Sequence, residues 1–403
     1  MNETPKTSRR ILAVQPIACG RQWYWYRDLG LIVRTLREMG HDAWMVLFPS
    51  DEGPPDEGQP VIIATKEQLE DPAWWKAQAP DAVIMGFWGA TRWEGVRAAA
   101  RQATSRLFEK LDTAGIYTPE IWWWRYFYVG YGHEIDAGVF APLAAARIFA
   151  RSLALQILPG LLDKKRVECM GRVPILAAET PLAVERTKRY LRTFGGKETL
   201  VTCLPHPVDA EGDLARAGTD GKQNKIVAVG RWETHQKNFP LLIETLALFL
   251  SVHPEWSAEI FGTLPADSAA RLATLPAGVV SRITLAGQAS HAELARHYGE
   301  AKIFFMPSRY ESFNIAAAEA LCCGCGVVGW AAIASIPFFC GRKSGTPAYG
   351  YSAKHFLDAL EAEAGAWNAG ERDPRAISAE WIGTVGARTI ARKMLGLLGF
   401  AEK

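Results

Sequence analysis

Short apolar runs alternate with longer helical periodicities along almost the whole chain, and they do so in two successive series. In the first half, runs at 10–15, 43–48, 60–64, 82–87, 172–178 and 200–204 have the length and β-branched content of buried strands. Helical stretches such as 23–40 and 182–194 lie between them, and Gly40-His41 closes the first as a C-terminal glycine should. The second half repeats the pattern, with strands at 225–230, 257–261, 283–286, 302–306 and 326–329 and helices at 239–253, 291–299, 314–323 and 354–367. A strand followed by a helix and then another strand favours a parallel sheet covered on both faces.

Two such series predict an α/β protein of two Rossmann-like doubly wound domains facing across a cleft. The segment 205–224, rich in Gly, Asp and Pro, reads as the connection between them. The expected domains are 1–210, 222–375 and a C-terminal helical run, 376–403, returning to the first domain. The 403 residues are enough for two cores, and 49% apolar with 22% charged residues is a globular composition. A net charge of +2 gives no field for coating nucleic acid, so no nucleic-acid partner is expected.

Ligands of open parallel sheets bind beyond the carboxyl ends of the strands, and two motifs fall there. The first is the strand ending at Gly230, followed by Arg231 and, six residues later, Lys237, with a helix beginning after Asn238. Glycine permits close backbone approach, and two cations at a helix N-terminus suit a diphosphate. Two surface cations in a loop would leave the same trace.

The second motif runs from Phe304 to Leu321. Pro307 ends a strand, Ser312 is placed to cap the next helix, and Glu311 precedes that helix with Glu319 about two turns inside it. The carboxylates are then separated by roughly 10 Å along the axis, comparable to the span from sugar to ribose in a nucleotide sugar. One could accept hydrogen bonds from sugar hydroxyls and the other from ribose hydroxyls, with the N–H groups of Phe313, Asn314 and Ile315 facing phosphate between them.

Arg231 and Lys237 together with Glu311-x7-Glu319 resemble the retaining glycosyltransferase family 4 of the GT-B fold. The resemblance extends to 283–287, 291–298 and 324–328 and is clear over about 225–330. It implies transfer of a sugar from a nucleoside-diphosphate sugar, UDP- or GDP-linked, to a saccharide, lipid-linked or small-molecule acceptor, without cofactor or metal. Arg231 and Lys237 would hold the diphosphate and stabilise it as a leaving group. Glu319 would bind the ribose and Glu311 the transferred sugar. In the first domain, which resembles the family only loosely, Gly20 is the expected close-approach glycine. His133, in a glycine-rich loop, matches the family's histidine beside the sugar, though a solvated loop histidine fits the same pattern. His206-Pro207 stands where the family has Asn-Gly.

Other signals lead elsewhere or nowhere. Gly324-Cys-Gly-Val-Val-Gly329 fits a dinucleotide fingerprint but precedes a strand instead of joining strand to helix. No P-loop run occurs. Seven cysteines, mostly in apolar runs and without zinc-ligand spacing, read as reduced thiols. The N-terminus has no signal-peptide pattern and no run reaches about 18 apolar residues, so a cytoplasmic protein is expected. The aromatic and basic segment 117–166 has three readings: a buried helix, a peripheral contact at the inner face of the membrane, or a sugar-stacking groove. Two further functions share the fold: a nonhydrolysing nucleotide-sugar epimerase, and a non-catalytic sugar-nucleotide-binding partner protein.

Overall fold

The structure, a computed structural model, describes residues 8–18, 25–50, 58–86, 91–111, 142–157, 159–197, 199–341 and 343–400. The chain divides into two compact units. The described residues of the first lie within Met1–Glu120, Ala154–Asp209 and Val385–Lys403, and those of the second within Ile121–Leu153 and Ala210–Thr384.

The first unit is built on a seven-stranded sheet. Its strands are β1 (Arg10–Ala18), β2 (Asp42–Phe48), β3 (Val61–Ile63), β4 (Ala82–Met85), β5 (Leu107–Lys110), β6 (Ile175–Ala178) and β7 (Leu200–Cys203). They run in the order β3-β2-β1-β4-β5-β6-β7, and every pairing is parallel. Neighbours in β1 serve opposite faces, as the two-residue strand period requires. Leu12 and Val14 join one buried cluster and Ile11 and Ala13 the other. Both faces are therefore apolar, which is why these strands read as continuous hydrophobic runs.

The second unit carries a six-stranded parallel sheet in the order β10-β9-β8-β11-β12-β13. Its strands are β8 (Gln223–Val229), β9 (Ser257–Phe261), β10 (Ile283–Gly287), β11 (Ala301–Met306), β12 (Gly326–Trp330) and β13 (Gly345–Ala348). The order reverses between β8 and β11, so the crevice at the switch point opens between the ends of these two strands.

Several sequence expectations need correction. Strands β5 and β13 gave no apolar run. β5 ends in Glu109 and Lys110, yet all four of its residues are buried. Arg97, itself fully buried, meets Glu109 through two hydrogen bonds of 2.6 and 2.9 Å, which is what makes a charged strand end tolerable inside. β13 reads Gly-Thr-Pro-Ala, and Pro347 is accommodated because β13 is an edge strand. The connection expected at 205–224 is shorter: the units divide between Asp209 and Ala210, and 213–217 is already helical. The C-terminal run is two helices, Pro374–Val385 and Ala387–Leu397, broken at Gly386. The first lies almost wholly in the second unit, whereas Ile390, Ala391 and Met394 of the other are buried in a cluster of the first.

The vicinal cysteines are core residues. Cys322, Cys323 and Cys325 are buried, burial pushes their thiols up, and Cys325 Sγ lies 3.1 Å from the carbonyl oxygen of Tyr298. Gly324 between them has φ +77 and closes helix Ile315–Cys322.

Candidate active site at the switch point of the second unit

Three neighbouring strands of the second unit end in glycine: β8 before Gly230, β9 before Gly262, and β10 at Gly287. Gly230 N–H donates to Phe261 O at 3.1 Å and Gly262 N–H to Gly287 O at 2.7 Å. Gly262 has φ +107, and a Cβ there would stand 1.9 Å from Gly230 O. This close packing of turns fixes where the chain leaves β8. A Cβ on Gly230 would in turn lie 3.2 Å from Lys237 Cδ, so the bare backbone makes room for the lysine stem.

Beyond Gly230 the chain makes a tight turn, with Thr234 N–H donating to Arg231 O and Lys237 N–H to Thr234 O. Arg231 is exposed, whereas the Lys237 side chain is 14% exposed. Lys237 Nζ lies 2.5 Å from Glu311 Oε1, and Gln236 Nε2 donates to Glu311 Oε2 at 3.1 Å. Glu311 therefore has a partner on each oxygen. The loops after β8 and β11 are further joined by Arg309 N–H to Gln236 O at 2.8 Å and Arg309 Nη2 to Asn238 Oδ1 at 3.1 Å. The two motifs, read separately in the sequence, are thus in direct contact through Lys237 and Glu311.

The helix after Glu311 starts later than expected. Ser312 is not its cap. Asn314 is, in the left-handed region at φ 72, with its Oδ1 accepting the Ala317 N–H at 3.0 Å. Asparagine tolerates that conformation and caps with its own side chain, so one residue serves both needs. Phe313, fully buried, anchors the turn, and the helix itself runs from Ile315 to Cys322.

Glu319 lies inside this helix and meets two groups from helix His291–Glu300. Tyr298 OH donates to Oε2 at 3.4 Å, and His291 Nε2 stands 3.6 Å from Oε1. His291 Nδ1 reaches Asp213 Oδ2 at 3.3 Å. Neither His291 nor Asp213 was singled out in the sequence. The Ser290-x-x-Glu293 capping box, present in both directions here, is the signal that fixes the helix start and places His291 in its first turn.

Gly20 and His133 lie outside the described residues, as does most of the aromatic segment that follows Tyr117. The first unit does place a buried charged cluster at the carboxyl ends of β5, β6 and β7. His206 Nδ1 is 2.7 Å from Asp28 Oδ1 and 2.6 Å from Lys110 Nζ, and His206 Nε2 bonds Glu179 Oε1. All four side chains belong to residues less than a tenth exposed. Burial pushes the Asp28 carboxyl up, but the charge and hydrogen bond of His206, with Arg27 and Lys110, hold it well below the usual carboxylate range. The position that departs from the family pattern in sequence, His206-Pro207, is therefore the centre of a buried polar network. Among the described residues no cluster of His, Cys, Asp and Glu has the arrangement of a metal site. No described helix is long and apolar enough to cross a membrane.

Comparison with known proteins bears on the second unit above all. Residues 210–361 match the family model described as Glycosyl transferases group 1. The chain is 27% identical over 127 residues to the lipopolysaccharide core biosynthesis mannosyltransferase LpsB of Rhizobium meliloti (strain 1021), covering 30% of this chain and 35% of that protein. The match thus spans about a third of that relative's length. Among solved structures, a glycosyltransferase from Rickettsia africae ESF-5 superposes with a TM-score of 0.64 at 13% identity, covering 98% of each chain. Anabaena Alr3699/HepE in complex with UDP and glucose gives 0.58 at 14% identity, over 98% of this chain and 100% of that one. At such identities the likeness is one of fold: two Rossmann-like parallel α/β units in one chain, as in GT-B glycosyltransferases.

Proposed function

We propose that the chain is a glycosyltransferase that moves a sugar from a nucleoside-diphosphate sugar to an acceptor hydroxyl. The observation that carries this reading is the joined loop pair at the switch point of β8 and β11, where Lys237 meets Glu311. The family match spans these residues. An ammonium has three donors. With one on Glu311, Lys237 keeps two for the diphosphate, and exposed Arg231 adds a second cation. As the bond to the sugar breaks, charge develops on the diphosphate, and fixed cations stabilise it more than they stabilise the bound donor. Glu311 receives hydroxyls of the transferred sugar, Glu319 those of the ribose, and the N–H groups at Phe313, Asn314 and Ile315 face the phosphates.

The finer reading is a family 4, retaining, hexosyltransferase-like enzyme that uses UDP- or GDP-sugars without metal. The same reading assigns Gly20 and His133 to the donor. The mannosyltransferase relative favours a saccharide or lipid-linked acceptor of the cell envelope. Peripheral membrane contact belongs to the same proposal: on helix Pro142–Ile157, Leu143, Phe149 and Leu153 are exposed.

Thermal unfolding with UDP-, GDP- and ADP-sugars tests the donor site. A ligand at 100 times its Kd stabilises by about 2.7 kcal/mol. One nucleotide class should stabilise the protein, and Lys237→Ala and Glu319→Ala should abolish the effect. Stabilisation that survives both substitutions would remove this site from the mechanism, and absence of sugar transfer despite donor binding would leave a binding protein.

A further inference from the structure

The two contacts made by His291 have no role in the mechanism so far. The reciprocal cap between Ser290 and Glu293 already satisfies the start of helix His291–Glu300, so the His291 ring is not spent on capping. Instead it bridges two other elements. Nδ1 faces Asp213 at 3.3 Å, from helix Asp213–Ala217, and Nε2 faces Glu319 at 3.6 Å, from helix Ile315–Cys322. The other Glu319 oxygen takes the hydroxyl of Tyr298, a residue with no solvent exposure.

The charges around this bridge are few. Asp213 is also paired with Arg216, and Glu319 has the Cys323 thiol and the Tyr298 phenol nearby, both neutral because burial raises them. Two carboxylates thus face one imidazole. The Glu319 hydrogen bond, with Asp213 behind it, outweighs burial and raises His291 to about 9, so the ring is cationic at neutral pH.

The geometry points to His291 as a positioning residue: its imidazolium, steadied by Asp213, holds the Glu319 carboxylate and offsets its charge, so that the remaining lone pairs receive the ribose hydroxyls of an anionic nucleotide. This rests on the donor-site reading given above. Without that cation, Glu319 would repel the diphosphate and be held only through the Tyr298 hydroxyl. The role is electrostatic and conformational, so it has a pH signature that a packing role lacks.

The test is titration of UDP, GDP and ADP against the wild type, His291→Gln, Glu319→Ala and the double variant between pH 6 and 10. Wild-type affinity for the preferred nucleotide should fall as pH rises through about 9. His291→Gln should bind about tenfold more weakly at neutral pH, the scale of one charge-assisted contact, and show no alkaline fall. In the Glu319→Ala background, titrated to nucleotide concentrations high enough to register its weakened binding, the same substitution should cost nothing further, because its effect runs through that carboxylate. Equal pH profiles for wild type and His291→Gln, or an equal loss in both backgrounds, overturn the inference while leaving the donor site standing. Failure of the wild type to bind any of the three nucleotides overturns the donor-site reading and this role with it. If His291→Gln does not fold, Asp213→Asn decides: it should move the alkaline fall to lower pH, and an unmoved profile refutes the bridge.

Discussion

Lys237 Nζ stands 2.5 Å from Glu311 Oε1, joining residues 74 positions apart at the ends of the two loops that flank the switch point. The contact is mostly buried, with the two side chains 14% and 8% exposed. Removing one partner of such a pair leaves a charge that water reaches only in part. Lys237→Ala should therefore lower stability by about 2 kcal/mol, somewhat under the 3–5 kcal/mol seen for wholly buried pairs. Glu311→Gln should cost less, because the amide still accepts from Lys237. Urea unfolding of both variants measures this, and equal midpoints for wild type and Lys237→Ala would show the pair to be energetically idle.

Gly262 and Gly287 provide a paired test of the strand-end geometry. A Cβ at Gly262 would collide with Gly230 O at 1.9 Å, whereas one at Gly287 meets nothing within 4 Å. Gly287→Ala should cost only the left-handed backbone preference, about 1–2 kcal/mol, and leave nucleotide stabilisation intact. Gly262→Ala should displace the turn after β8 and abolish that stabilisation. If the two variants respond alike to nucleotide, the close approach of these turns does not position Lys237.

Arg97 and Glu109 in the first unit form a buried pair held by two hydrogen bonds, with side chains 0% and 2% exposed. Arg97→Ala should destabilise by about 3–5 kcal/mol, and Arg97→Met with Glu109→Leu should recover most of the loss. Chemical denaturation of the three proteins checks this. A double variant no better than Arg97→Ala would mean that the charges themselves, and not merely their pairing, are needed to form β5.

The Asp28–His206 pair should make the first unit acid-sensitive. The Asp28 carboxyl sits below its ordinary 3.8 in the folded protein, held there against burial by His206. A depressed acid contributes stability that is fully present above its unfolded value and lost as pH falls toward its folded one. Stability should therefore drop as pH falls below about 3.8, and Asp28→Asn should flatten that drop while lowering stability at neutral pH. Unfolding midpoints between pH 3 and 7 report it; parallel profiles for wild type and Asp28→Asn would exclude the ion pair as their source.

Much of the second unit was legible because its signals are local. Apolar runs named five of its six strands, Gly230 marked the end of β8, and the spacing of Glu311 and Glu319 placed both carboxylates on one loop and helix. Even so, the start of that helix was misread. Ser312 satisfies the sequence preference for a cap, but the left-handed turn at Asn314 puts the capping oxygen two residues later. β5 was lost for a similar reason: Glu109 looks exposed until Arg97 arrives to pair with it, and Lys110 looks exposed until His206 Nδ1 comes within 2.6 Å of its Nζ.

The sequence by itself determined the two parallel sheets, the identity of the cations and carboxylates at the strand ends, and the absence of a P-loop. These follow from hydrophobic period and residue chemistry, which act over a few neighbours. Only the tertiary structure decided which charges meet. Lys237 with Glu311, His291 with Glu319 and Asp213, and His206 with Asp28 and Glu179 join residues 27 to 178 positions apart. An ion pair is set by distance and dielectric, and both are fixed only when the sheet order brings strand ends together and closes water out around them.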